Sequence, residues 1–292
     1  MSMSSLLTAI KTRLLEYQNT DLYNVKTWQR GILGPASILP ALAILPINES
    51  YIIELTNGKY RVQRRITLEA YDTKMDVHAA KDTVETIIHK AINIFKSDLT
   101  INGECYYMDI GTENYGEPIE TNRGLLQSCT VDITCYQFEE YPELNERTTP
   151  TYGISTKDLQ DKLLSILKAN KSSYSTVKTF LDAPVTPITK APAIIVGAGS
   201  RGHESDRAGW NIITTTFEIG IVTDLMPKEQ SLNYNLSIVE KVKDVLQANY
   251  DLEGYCDYSM ITNISYDTLQ SKNKWFYFTT ITFETYGRYY YA

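Results

Sequence analysis

Residues 195–202 read Ile-Val-Gly-Ala-Gly-Ser-Arg-Gly. The spacing Gly197-x-Gly199-x-x-Gly202 is the spelling of a dinucleotide-binding loop. That chemistry needs a strand before the glycines and a helix opening at the third, so that helix N–H groups meet a pyrophosphate. Residues 193–196 suit the strand. Residues 210–219, Trp-Asn-Ile-Ile-Thr-Thr-Thr-Phe-Glu-Ile, are β-branched and aromatic with no helical period, and read as a second strand. The glycines are therefore expected in a connection between two strands, not in a phosphate cradle.

The other side chains able to do chemistry are few. His203, Glu204 and Asp206 form the one compact cluster that could bind a metal or move protons. In a polar, glycine-rich loop, solvated side chains are the ordinary alternative. His78 and His89 are eleven apart on a helical stretch, so they do not form an i, i+4 metal pair. Cys105, Cys129, Cys135 and Cys256 include no C-x-x-C pair. On one strand Cys129 and Cys135 would stand about 20 Å apart, too far to bridge. Free buried thiols are expected. There is no G-x-S-x-G, no phosphate-binding lysine loop and no zinc spacing. No catalytic residue, cofactor or metal is expected. Replacing His203, Glu204 and Asp206 together would test the alternative of a small-molecule or metal-dependent enzyme.

Charge narrows the partners. The chain has 292 residues, net charge −7 and 43% hydrophobic content, which describes a globular protein. A protein whose main task is gripping nucleic acid is usually basic. The acidity is uneven: residues 1–147 hold 14 basic and 20 acidic side chains, the remainder 14 and 15. Residues 104–120 carry Glu104, Asp109, Glu113, Glu117 and Glu120 without a Lys or Arg. They read as a solvated loop or as a wall that repels phosphate along a DNA conduit. Arg61-x-x-Arg64-Arg65 is expected on a solvated or salt-bridged strand face. The first residues lack the basic start and apolar core of a signal peptide. No apolar run nears the ~18 residues of a membrane span.

The elements that must position these residues come in two series. Val25-Lys26-Thr27-Trp28 recurs 152 residues on as Val177-Lys178-Thr179-Phe180. At that offset Leu7, Leu14 and Leu15 fall on Leu159, Ile166 and Leu167, and residues 40–44 fall on 192–196. Later Ile66 and Leu68 match Phe217 and Ile219. At offset 150, Val131, Ile133 and Tyr136 match Ile281, Phe283 and Tyr286. The counterpart of the glycine loop is Leu45-Pro-Ile-Asn-Glu-Ser50, with no glycine, so the shared scaffold needs no phosphate there.

Apolar spacing predicts helices near 4–17, 76–95, 155–169 and 228–248. Strands are predicted near 41–46, 51–56, 60–72, 104–110, 125–138, 255–265 and 274–287. Trp275, Tyr277, Thr279, Ile281 and Phe283 share one face at period two. The expected fold is α+β: two tandem copies, 1–141 and 154–292, joined by a linker at 142–153. Each copy is a mixed sheet covered on one face by two helices.

This order resembles the tail terminator family of long-tailed bacteriophages, the minor tail protein U type. The resemblance rests on an N-terminal helix, a Pro-Ala-Ile-Ile-Val-type strand at 192–196 (Pro40-Ala-Leu-Ala-Ile at 40–44), a β-rich stretch, an amphipathic helix and a closing strand. Members typically carry one such domain, so two is a departure. The resemblance implies a structural protein of the virion tail or neck, made in the host cytoplasm. It would form a ring at the head-proximal end of the tail tube, end tube growth and meet a neck or head-completion protein. A hexamer is favoured, with a trimer as pseudo-hexamer the alternative. DNA would pass without specific binding. Another neck or tail-completion component of similar fold is the other structural reading. Interface candidates are Tyr289, Tyr290 and Tyr291 at the chain end, where aromatic side chains suit docking, with Arg201, His203, Glu204 and Arg207. The acidic residues of 104–120 are candidates for the lumen.

Overall fold

The computed structural model describes the chain except residues 1, 32–37, 55–58, 122–123, 141–153, 183–190, 206–209, 225–227, 272–273 and 291–292. The protein is α+β, with four α-helices and a large mixed sheet among the described residues. In chain order these are α1 (Met3–Leu15), β1 (Thr27–Arg30), β2 (Ala41–Glu54), β3 (Lys59–Lys74), α2 (Val77–Lys96), β4 (Tyr107–Tyr115), β5 (Ile119–Thr121) and β6 (Gly124–Glu140). There follow α3 (Thr156–Ala169), β7 (Thr179–Asp182), β8 (Ala193–Ser205), β9 (Trp210–Asp224), α4 (Lys228–Ala248), β10 (Tyr258–Ser271) and β11 (Lys274–Tyr290).

The helices begin where side chains satisfy their first N–H groups. Ser2 Oγ accepts from the Ser5 N–H at 3.1 Å, and Asp76 accepts from His78 N–H at 2.9 Å. Ser155 and Asp158 form a reciprocal capping box at α3. Each helix buries an apolar stripe. α2 buries Ala80, Val84, Ile87, Ile88, Ala91, Ile92, Ile94 and Phe95, the residues its 3.6-residue period predicts.

The described residues fall into two compact units. The first holds Met1–Glu49, Arg61–Glu139 and Pro227–Asn233. Its strands run β4-β6-β3-β2, with β1 parallel to the start of β2 and β5 on β6. The second holds Ser50–Tyr60, Glu140–Met226 and Tyr234–Ala292. Its strands run β10-β11-β9-β8-β7, and β2, which belongs to this unit from Ser50 onward, neighbours β10.

Several local details occur once in each series. β1 pairs with β2 in parallel, Thr27 opposite Ala41, and β7 with β8, Thr179 opposite Ala193. Both registers are separated by the predicted offset of 152. Left-handed turns follow the long helices, at Ile101-Asn102-Gly103 and Leu252-Glu253-Gly254. A bulge interrupts β4 after Ile110 and β10 after Ile261.

Four expectations need correcting. In the helices the buried positions Leu6, Leu7, Ile10 and Leu14 match Leu159, Gln160, Leu163 and Leu167, so the offset there is 153. The turn from Leu14 to buried Leu22 is one residue longer than that from Leu167 to buried Tyr174. β2 is one strand, not two; Pro46 is tolerated two residues beyond the last β1 pair at Ile44. β1 and β7 were not expected at all. The glycines 197–202 lie inside β8, not in a connection. The expected linker 142–153 lies outside the described residues.

Candidate functional site

β8 pairs antiparallel with β9 through the glycine-rich stretch, with a bulge between Ala198 and Arg201. A side chain at Gly199 would bring Cβ to 3.1 Å from Thr216 O, so glycine suits the close strand pair there. Gly202 is different: a Cβ there meets nothing within 4 Å. No helix begins at these glycines, so the stretch lacks the oriented N–H groups that hold a pyrophosphate.

His203 and Glu204 stand near the end of β8, opposite Ile213 and Ile212, and both are exposed. They were expected in a loop; they are adjacent in a strand, which turns their side chains to opposite faces. Asp206 and Arg207 lie outside the described residues. Among the described residues no cluster of His, Cys, Asp and Glu has the arrangement to hold a metal ion, and no helix is long and apolar enough to cross a membrane. Arg201 reaches away from that pair. Its guanidinium donates to Ile154 O at 3.0 Å and contacts Thr156 Oγ1 at 3.4 Å, tying β8 to the start of α3. At the chain end, Tyr289 and Tyr290 extend β11 opposite Asn211 and Trp210. Tyr291 lies outside the described residues.

The acidic stretch divides between surroundings. Asp109 accepts from the Tyr136 hydroxyl at 2.9 Å. Its hydrogen bonds hold the phenols of Tyr107 and Tyr136 above their ordinary range. Glu113 follows the β4 bulge and sits opposite buried Val131. It meets His89 Nε2 of α2 at 2.9 Å. The bulge inserts one residue and so shifts the alternation of faces. Glu104 is exposed in the turn before β4, where its carbonyl accepts from Gln137 Nε2. Glu117 and Glu120 are exposed at and before β5. These five carboxylates therefore do not share one face.

Sequence reasoning missed a buried charge cluster. Arg64 is fully buried on β3, on the side of Val62, Ile66 and Leu68. Its Nε donates to Glu49 Oε2 at 2.8 Å, one terminal nitrogen to Glu139 Oε1 at 2.6 Å and the other to Gln137 Oε1. Glu49 is fully buried as well. Period-two alternation from Val62 to Ile66 was the available signal. The basic string around Arg64 pointed to a solvated or salt-bridged face; the salt bridges are present, but buried. Its neighbour Arg65 does reach the surface, where it pairs with Asp132.

Matching aromatic pairs flank the first residues of β4 and β10. Tyr107 and Tyr136 stack at 6.2 Å and 29°, Tyr258 and Tyr286 at 4.4 Å and 11°. Just before each pair sits a buried thiol, Cys105 donating to Leu99 O and Cys256 to Tyr250 O. Among the described residues the geometry gathers strand edges and stacked tyrosine pairs. No protein-family model and no curated protein matches the chain.

Proposed function

We propose that this chain is a structural protein of a tailed phage virion. It forms a ring at the head-proximal end of the tail tube, stops tube growth and joins the tail to the neck or head. In this reading the two series of elements are tandem repeats of one α+β unit, each a mixed sheet with two helices on one face. One observation carries it: the β1–β2 and β7–β8 pairs have the same parallel register, Thr27 on Ala41 and Thr179 on Ala193, at the offset read from the sequence. The matching turns, bulges and tyrosine stacks support it further.

The activity proposed is assembly. Its partners are further copies of this chain, the tail tube protein and a neck or head-completion protein. A hexamer is the preferred ring, and three chains with six repeats are the alternative. Native mass measurement of the purified protein tests the ring directly: six or three copies are expected. Electron micrographs of virions made without the protein should show overlong or headless tails. Normal tails in its absence would reject the reading.

A further inference from the structure

One strand edge in the second unit is covered in a way that specifies a missing partner elsewhere. There the end of β2, from Ser50, neighbours β10, with Ser50 Oγ 3.3 Å from Asn263 Oδ1. Tyr51 and Tyr60 meet edge to face at 6.2 Å beside Leu246, Tyr250, Met260 and Phe283. Lys243 Nζ stands 5.5 Å over the Tyr51 ring. β10 is thus flanked by β11 and by β2.

β4 has the local build of β10, with the same left-handed turn before it, the same tyrosine stack and the same bulge. Among the described residues, however, only β6 pairs with it. β8 has the local build of β2: a parallel partner over its first four residues, then a run whose outer edge meets no strand among the described residues. Edges of this kind present a row of N–H and C=O groups that template pairing with another chain.

We infer that the outer edge of β8 in one copy pairs with the outer edge of β4 in a second copy, reproducing between chains the relation of β2 to β10. The inference rests on the ring reading above and names the surface that makes the ring. Two features support it. Register is the first: the offset of 152 between the β1–β2 and β7–β8 pairs carries Ser50 to Gly202, and the offset of 151 from Tyr107 to Tyr258 and from Ile110 to Ile261 carries Asn263 to Thr112, so the inferred pairing sets Gly202 of one copy against Thr112 of the next. Space is the second, since Gly202 is open where a neighbouring backbone must approach. The contact joins two different surfaces, so it repeats head to tail and closes into a ring where the rotation allows.

Cysteines at the paired positions test it. Mixing Gly202→Cys with Thr112→Cys under mild oxidation should give a covalent dimer, while each variant alone gives none. The double variant should give a ladder of covalent multimers. Amide exchange of the unmodified protein supplies a second reading: residues 107–115 and 199–205 should be protected in the oligomer and lose that protection on dilution to monomer. An oligomer of the expected mass with no cross-link and no such protection overturns the edge pairing and leaves the ring reading standing. A chain that stays monomeric at every concentration overturns both.

Discussion

The rings of Tyr258 and Tyr286 lie 4.4 Å apart and 11° from parallel, directly opposite each other on β10 and β11. Cross-strand aromatic pairs of this kind contribute about 0.5–1.5 kcal/mol beyond the area they bury. A double-mutant cycle with Tyr258→Leu and Tyr286→Leu should return a coupling in that range by urea denaturation. The same cycle on Tyr107 and Tyr136, wider at 6.2 Å and 29°, should return less. Equal couplings would mean that the closer stack adds nothing.

Arg64 predicts the largest single loss. Its guanidinium is fully buried between Glu49, Glu139 and Gln137. Removing one partner of a buried pair leaves an uncompensated charge and costs about 3–5 kcal/mol. Arg64→Ala should therefore lower the denaturation midpoint sharply, and Arg64→Met should lower it as well, because Met fills space without meeting the carboxylates. Replacing Arg64, Glu49 and Glu139 together by apolar residues should recover most of the loss. A mild effect of Arg64→Met alone would show that the carboxylates are hydrated.

How much of this was legible follows from the range of each signal. The helices appear within two residues of their predicted spans, because an apolar stripe at 3.6-residue spacing is local. The alternation from Tyr277 to Phe283 is buried as read. β1 and β7 escaped notice because four-residue strands, half-buried at most positions, carry no alternation. Arg64 is salt-bridged, one of the two settings expected for it, but its burial was not legible because its partners stand 15, 73 and 75 residues away and only the fold brings them together. The glycines of β8 suggested a loop, but pairing with β9 overrides local preference. The acidic stretch read as a solvated loop or as a wall, and a single bulge turns Glu113 and Asp109 to different faces. Among the interface candidates, Arg201 has a fixed partner in the start of α3, while His203 and Glu204 stand exposed on β8.

The capping box of α3 gives a pH dependence with a definite sign. The Ser155 side chain, and then its backbone N–H, hydrogen-bond Asp158 and hold that carboxyl below its ordinary range. A carboxylate depressed in the folded state stabilises above the unfolded value, about 3.9, and loses that contribution as pH falls through the folded one. The thermal midpoint of Asp158→Asn should lie below that of the native sequence at neutral pH. The gap should narrow as the medium is acidified past that range. A gap independent of pH would remove the charge from the cap.

The four thiols should differ in order of reaction, not merely in being slow. All are buried and none is in a disulfide. Burial pushes Cys129 up to about 12, helped by the carboxylates of Glu113 and Glu85. Cys105, 4% exposed, is held below its ordinary range by a hydrogen bond from Cys135. The thiolate is the reactive form. At pH 8, iodoacetamide should therefore label Cys105 first in the folded protein, with Cys129 and Cys135 far behind, because the hydrogen bond to Cys105 and then burial raise Cys135 as well; all four should react promptly in denaturant. The sign of the stability effect follows as well. A thiol raised in the folded state contributes fully below the unfolded value, about 8.5, and that contribution falls as pH rises beyond it. Cys129→Ala should accordingly flatten the alkaline loss of stability, whereas Cys105→Ala should not. If Cys129 reacts as fast as Cys105 in the folded protein, its strand is open to water and the burial that sets its acidity is absent in solution.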